Sequence, residues 1–347
     1  MGESLDRLRA EIDEQPEVLA RLVDAPPSEL RALAQSLRAS PPRAVVLVGR
    51  GSSDYSATYG RYLFEVRNRV LTSLAAASAL TVYGTGPDLR GTLAIGMSQS
   101  GRGEDVTAVI REARAQGART AAIVNDPESP LAREAEWVLH CRAGTEQSVP
   151  ATKTVTAQMV LLALLSSAWR EDDVSAFSAL GPEVRRALAR EDEARSLAAY
   201  LAHLDDVSVV GRGFAYPVAL ELALKLKEMA RLHAEAFSSA DFLHGPIALV
   251  GPTHRVLVLD AGGASTAHAL ETARTIHRRS TEAYLVRAGR FQGFRDAPAL
   301  AHPADLDEHL APIVLLALAQ RLALEIAVAR GLDPSQPPGL AKVTSTR

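Results

Sequence analysis

The sequence predicts an α/β protein made of two tandem copies of one domain, each a parallel sheet flanked by helices. Three observations predict it. Short apolar runs that end in Gly, Ser or Asn alternate with helical segments. The tetrapeptide Val-Gly-Arg-Gly occurs twice, at 48–51 and at 210–213, each time closing an apolar run. A chain of 347 residues also exceeds what one ordinary core organises and suits two domains.

In the first half the strand candidates are AVVLVGRG (44–51), TLAIGMSQSG (92–101), TAAIVND (120–126) and EWVLHC (136–141). Residues 54–66, 104–116 and 151–169 have helical composition, and strand alternating with helix points to a parallel sheet covered on both faces. The second half restarts with VSVVGRG (207–213), then a helix opened by Pro217 and running through Leu232, then HRVLVLD (254–260) and EAYLVR (282–287). The charge-rich stretch 185–196 reads as a solvated helical connector. Residues 311–329 form the most apolar long stretch, but Gln320, Arg321 and Glu325 interrupt it, so it reads as a buried helix rather than a bilayer span. The domain boundaries follow: a helical segment over 1–34, a first domain over 35–180, a connector over 181–200, a second domain over 201–335 and a tail over 336–347.

Composition narrows the partners. A net charge of −3 with dispersed arginines leaves no basic footprint for nucleic acid, and no membrane association is expected. The N-terminal MGESLDRLRAEIDEQP is charged and has no apolar signal core, and Asp6 stands where a myristoylation signal wants a small hydroxyl residue. The single cysteine, Cys141, excludes an internal disulfide framework, fits a reducing cytoplasmic compartment and reads as a buried strand residue. Small molecules are the expected ligands.

Ligands of open α/β sheets bind outside the carboxyl ends of the strands. Two loops there are rich in small hydroxyls: Gly51-Ser52-Ser53 and Ser98-Gln99-Ser100-Gly101. Backbone N–H groups and the helix dipole favour an anion at such places. One loop alone is a weak signal, because Ser and Gly are ordinary turn and cap residues, but two in one sheet suggest a phosphate or sugar phosphate pocket. Neither loop is a Walker loop or a G-x-G-x-x-G turn, and no H-E-x-x-H spacing is present, so neither a nucleotide cofactor nor a metal is expected.

The segment 222–246, LALKLKEMARLHAEAFSSADFLHGP, concentrates acid–base groups in an apolar setting. On a helix Glu221, Lys225 and Glu228 fall at i, i+4 and i+7 and form one stripe. Such a stripe is ordinarily a solvated, self-pairing face. Here His233, Glu235 and a turn-borne His244 follow, and a carboxylate with a histidine supplies an acid and a base at neutral pH.

With these residues in hand, the chain resembles double SIS (sugar isomerase) proteins. It is similar to the isomerase half of glucosamine-6-phosphate synthase and most like stand-alone type II glucosamine-6-phosphate deaminases. The resemblance rests on six ordered segments: EIDEQP (11–16), GRGSSDYSATYGRYLFE (49–65), SQSGRGED (98–105), AGTEQSVPATKTVTAQ (143–158), ALELALKLKEMARLHAEAFSSADFLHGP (219–246) and GLDPSQPPGLAKVTSTR (331–347). It implies two flavodoxin-like domains, a homodimer, and an active site built partly across the dimer interface. It also implies a tail that closes the site. Ser52, Ser53, Ser98, Gln99 and Ser100, with Gly51, Val149 and Ala151, become expected ligands of the sugar phosphate. Glu228 becomes the base that moves a proton between C1 and C2, with Lys225 beside it. His244 becomes the ring-opening group, supplied in the synthase by the other subunit, and Lys342 an imine-forming lysine.

Two positions depart from the pattern. Gly103 stands where relatives place Ser or Thr for the phosphate, and Val149-Pro-Ala151-Thr replaces Val-Ala-Ser-Thr. The chain opens without the N-terminal cysteine of a glutaminase, so ammonia release is expected rather than glutamine-dependent synthesis. The expected reaction is conversion of glucosamine 6-phosphate, a phosphorylated aminosugar, to fructose 6-phosphate and ammonia. Rival expectations are a fructosamine-6-phosphate deglycase, another phosphosugar isomerase, and a non-catalytic sugar-phosphate sensor.

Overall fold

Two five-stranded sheets, all of whose pairings are parallel, organise the chain. The computed structural model describes residues 2–279, 283–289, 299–302, 305–335 and 337–342. Part of the expected strand 282–287 and half of the tail from 336, namely 336 and 343–347, therefore lie outside the described residues.

Up to the end of the first sheet the elements are α1 (Gly2–Asp13), α2 (Gln15–Asp24), α3 (Ser28–Ala39), β1 (Val45–Val48), α4 (Ser52–Leu63), β2 (Thr72–Leu74), α5 (Ser78–Thr81), β3 (Leu93–Ser98), α6 (Glu104–Ala115), β4 (Arg119–Val124), α7 (Pro130–Glu134) and β5 (Trp137–His140). Then come α8 (Lys153–Arg170), α9 (Leu180–Leu188), α10 (Glu191–Leu201), β6 (Asp206–Gly211), α11 (Tyr216–Ala230), β7 (His233–Ser238), α12 (Ser239–Leu243), β8 (Arg255–Asp260), α13 (Thr266–His277), β9 (Ala283–Ala288), β10 (Ala299–His302) and α14 (Ala311–Ala329).

The sheets have the same topology. The first runs β2-β1-β3-β4-β5 and the second β10-β9-β8-β6-β7, so in both the strand that opens the domain lies between the second and the third. In each sheet this places a crevice at the carboxyl ends of the first and third strands, where the chain reverses its winding direction.

The repeated Val-Gly-Arg-Gly has one physical explanation in both copies. A Cβ on Gly49 would lie 2.7 Å from the Ser53 backbone, and one on Gly211 would lie 2.7 Å from the Ala215 carbonyl oxygen. In each copy the following helix passes too close to the strand end for any side chain. The second glycine of each copy, Gly51 or Gly213, takes a positive φ of 52° or 56°, which turns the strand into the helix.

The chain divides into two compact units. One holds the first sheet and comprises Glu17–Glu146, Lys153–Ser178 and the segment beginning at Ala341. Its α8 is buried from Lys153 through Ser167. The other holds the second sheet and comprises the segment ending at Pro16, Gln147–Thr152 and Ala179–Leu340. There α14 is buried from Ala311 through Ala327, packed against α9, α10 and α11. It is long and apolar enough to cross a membrane, but 94 % of its most apolar window is buried inside the protein. Its Arg321 and Glu325 join an ion-pair network with Arg9, Asp13, Glu191 and Arg195.

Several elements differ from the sequence reading. The helix expected over 54–66 starts at Ser52 and ends in a π-helical run, Phe64–Asn68. The Pro217 helix stops at Ala230 rather than Leu232, where Arg231 takes a positive φ, and His233–Ser238 forms β7. The single connector is two helices that meet at Ala189 and Arg190. The strands absent from the sequence reading, β2, β7 and β10, are all edge strands, as the sheet orders show. Cys141 lies directly after β5 rather than in it, and is fully buried.

Gly49→Ala and Gly211→Ala should each destabilise the protein by about 1–3 kcal/mol, the usual cost of forcing atoms into a filled space. Urea denaturation measures this, and wild-type midpoints for both would contradict the close-approach explanation.

Candidate active site

In the first-sheet unit, the loops after β1 and β3 carry the expected phosphate ligands. Gly51 precedes α4, and Ser52 and Ser53 form its first turn, each 9 % exposed. Ser53 Oγ accepts a hydrogen bond from Gln158 Nε2 on α8 at 3.0 Å. Ser98 ends β3, and its Oγ accepts from the Gly101 N–H at 3.0 Å, folding the loop back on itself. Ser100 Oγ accepts from the Arg102 N–H at 3.4 Å. The two loops are tied together by Arg50, which pairs with the buried Asp105 in the first turn of α6. Among the described residues, two buried polar atoms of α8, Thr154 Oγ1 and Gln158 Oε1, lack a hydrogen-bond partner, whereas such atoms ordinarily have one.

A cavity of about 490 Å³ opens at the carboxyl ends of β3, β4 and β5, lined by Gln99, Ser100, Asn125, His140, Glu146 and Lys342 among others. Lys342 Nζ lies 2.9 Å from Glu146 Oε2. The other Glu146 oxygen, Oε1, accepts from the Thr154 N–H at 3.1 Å. Asn125 orders the cavity rim, accepting from the Ala143 N–H and donating to the Gly144 carbonyl. Burial, reinforced by the Glu146 charge, pushes the Cys141 thiol far above its ordinary range, so it stays protonated and inert.

In the second-sheet unit, α11 places Glu221, Lys225 and Glu228 in one line. Lys225 Nζ lies 3.1 Å from Glu221 Oε1 and 2.6 Å from Glu228 Oε2. Lys225 and Glu221 are enclosed, while the Glu228 side chain keeps 19 % of its surface. Burial alone would lower the Lys225 pKa, but the charges of Glu221 and Glu228 outweigh it and hold the amine above its ordinary value. The stripe is therefore a buried ionic chain with one accessible end, and that end is Glu228.

His244 caps the C-terminus of α12 and is exposed. It lines a smaller cavity of about 280 Å³ with Arg212, Ser239, His268, Glu271 and Thr272. His233 and Glu235 alternate with buried or half-buried alanines along β7 and are exposed. Val149 and Ala151 belong to the same compact unit as α11, and the Val149 N–H donates to the Ser335 carbonyl at 3.1 Å. The loop preceding them is held by Glu11, whose carboxylate accepts from the Gln147 and Ser148 N–H groups.

The structure thus gathers Gln99, Ser100 and Lys342 around one cavity, and Glu221, Lys225 and Glu228 into one ionic chain. His244 lines a different cavity, and Glu228 lines neither of the two. The sequence reading assigned no role to Glu11, Glu146, Asn125 and Gln158. All four lie inside or beside quoted segments, but their partners are distant in sequence or belong to the backbone.

Comparison with known proteins places this geometry. The SIS domain family profile matches residues 40–168 and 200–286. The chain is 34 % identical over 301 residues to the glutamine–fructose-6-phosphate aminotransferase (isomerizing) of Methanothermobacter thermautotrophicus, covering 86 % of this chain and 51 % of that protein. The chain spans roughly half the length of the curated relatives it matches. Among solved structures, a proposed phosphosugar isomerase from Silicibacter pomeroyi superposes with a TM-score of 0.88 at 34 % identity, covering 94 % of this chain and 99 % of that one. The C-terminal domain of the Francisella tularensis glucosamine-fructose-6-phosphate aminotransferase superposes with a TM-score of 0.85 at 26 % identity, covering 95 % and 98 %. A glucosamine-6-phosphate deaminase from Thermotoga maritima shares the fold, with a TM-score of 0.77 at 21 % identity over 98 % and 100 %.

Lys225→Met leaves the Glu221 carboxylate buried without its ammonium, and should cost about 3–5 kcal/mol of stability at pH 7. A lysine held above its ordinary pKa of 10.5 stabilises the fold fully below that pH and loses the contribution only as pH rises through the folded-state value. The destabilisation should therefore persist at pH 9 in denaturant titrations. A difference that vanishes by pH 9 would contradict the ionic chain.

Proposed function

The chain belongs to the SIS domain family and is homologous to the isomerase half of glutamine–fructose-6-phosphate aminotransferase, and we propose that it converts glucosamine 6-phosphate and water to fructose 6-phosphate and ammonia. The observation that carries the reading is the Lys225–Glu228 pair: an enclosed ammonium 2.6 Å from a carboxylate whose outer face is accessible. The ion pair holds this carboxylate in one orientation, as a base for a C–H proton must be.

In this reading the sugar phosphate is held by Gly51, Ser52, Ser53, Ser98, Gln99 and Ser100, with Val149 and Ala151 as further contacts. His244 opens the ring by moving a proton from the anomeric hydroxyl to the ring oxygen. Glu228 then removes the C2 proton of the open aldehyde, giving an enolamine, and returns a proton to C1. The C2 imine that results loses ammonia when the Lys342 amine adds to C2, and water hydrolyses the lysine imine to the ketose. Every step uses only protein groups and water.

His244 serves this chemistry from a second copy of the chain in a homodimer. Leu243 and Leu249, exposed on either side of it, suit a surface covered by that copy.

Glu228→Gln should abolish ammonia release from glucosamine 6-phosphate while leaving its affinity nearly unchanged, because in this reading Glu228 moves the C–H proton and other residues hold the phosphate. A coupled ammonia assay with calorimetry tests this, and retained turnover would sink the assignment. Gly103 offers a gain-of-function test. A Cβ there would meet Asp105 Oδ1 at 3.4 Å, an ordinary contact, so a serine fits at the start of α6. Gly103→Ser should tighten phosphosugar binding about threefold to tenfold, the value of one added hydrogen bond. Unchanged affinity would remove this loop from the phosphate site.

A further inference from the structure

We propose that Glu146 is the positioning residue of Lys342: a buried carboxylate, anchored at the start of α8, that fixes the lysine Nζ in the cavity lined by Gln99 and Ser100. The inference rests on the reading above, in which Lys342 forms the imine.

Glu146 is the last residue before the chain leaves the first-sheet unit, and its side chain is fully enclosed. A carboxylate buried to that degree is costly unless both oxygens are engaged. Each oxygen has a different task. Oε1 accepts from the Thr154 N–H in the first turn of α8, where the helix dipole also favours a negative charge. Oε2 accepts from Lys342 Nζ at 2.9 Å, and the Lys342 side chain itself is 22 % exposed. One end of the carboxylate is thus set by a rigid helix, and the other end sets the lysine.

The surroundings explain why such an anchor is needed. Lys342 lies in neither a helix nor a strand, and a lysine side chain is long and flexible. Arg102, Arg142 and His140 line the same cavity, and the two guanidinium groups would repel its ammonium, while Asp126 there is paired with Arg102 at 3.7 Å. Lys153 opens α8 and is buried. Cys141, just after β5, is neutral. Glu146 is the carboxylate whose contact with Lys342 is direct.

A purely structural Glu146 would act as the N-terminal cap of α8, and the Gln variant separates the two roles. Glu146→Gln keeps a carbonyl oxygen for the Thr154 N–H but removes the charge that holds the ammonium. Wild type, Glu146→Gln and Glu146→Asp are incubated with fructose 6-phosphate and borohydride, which reduces a lysine imine to a stable secondary amine. The adduct on the Lys342 peptide is then quantified by mass, alongside the dissociation constant for fructose 6-phosphate and the melting temperature.

The expected result is labelling of wild-type Lys342 and a fall of about tenfold or more in Glu146→Gln, the scale of a misplaced reacting group, with partial recovery in Glu146→Asp. Affinity and melting temperature should stay near wild type in Glu146→Gln. Equal labelling of wild type and Glu146→Gln would overturn the role of Glu146 and leave the proposed reaction standing. Labelling lost together with affinity and melting temperature would make Glu146 a structural cap and also overturn the proposal. Absence of any Lys342 adduct in wild type would remove the lysine from the reaction, and Glu146 with it.

Discussion

The arrangement depends most on one buried ammonium. Lys225 is enclosed in α11, and the helix is stable there because Glu221 and Glu228 flank the amine at one turn on either side. Either carboxylate alone would leave the others poorly compensated in a low-dielectric setting, so the three residues form a unit. The unit is asymmetric. Glu221 is sealed inside, and Glu228 reaches the surface, so the stabilising network ends in an accessible carboxylate of fixed position. In the proposed reaction, stability and chemistry are coupled in the same three side chains.

The two sheets show how one duplicated architecture yields unequal loops. Both copies use the same pair of glycines after the opening strand, for close approach and for positive φ. The loops after the third strand then diverge. In the first sheet that loop is Gln99 to Gly103, with the hydroxyls of Ser98 and Ser100 at hand. In the second sheet it is glycine-rich, and the Ala264 N–H donates to the carboxylate of Glu308 at 2.6 Å. A Cβ on Gly263 would collide with that same carboxylate. An internal acid thus takes the backbone donor that an external anion would use.

Much of this was legible in the sequence, for physical reasons that also explain the rest. Central parallel strands such as β1, β3 and β8 are buried on both faces and read as continuous apolar runs. The edge strands β2, β7 and β10 lack one neighbour, and β7 exposes His233 and Glu235, so the apolar signal is diluted. The i, i+4, i+7 spacing of Glu221, Lys225 and Glu228 was visible because helical periodicity is local. Glu146, Glu11 and Gln158 were not. Glu146 meets Lys342 196 positions later, Glu11 meets backbone N–H groups 136 and 137 positions later, and Gln158 meets Ser53 105 positions earlier. No periodicity connects residues at such separations, and only the folded sheet brings them together.

The central claim is that this chain moves a proton between C2 and C1 of an aminosugar phosphate and then releases its nitrogen. Incubation of the protein with glucosamine 6-phosphate in deuterium oxide, followed by NMR of the sugar and an ammonia determination, tests it most directly. The account predicts fructose 6-phosphate carrying solvent deuterium at C1, with one ammonia released per ketose formed. Unchanged glucosamine 6-phosphate with no deuterium and no ammonia would contradict it.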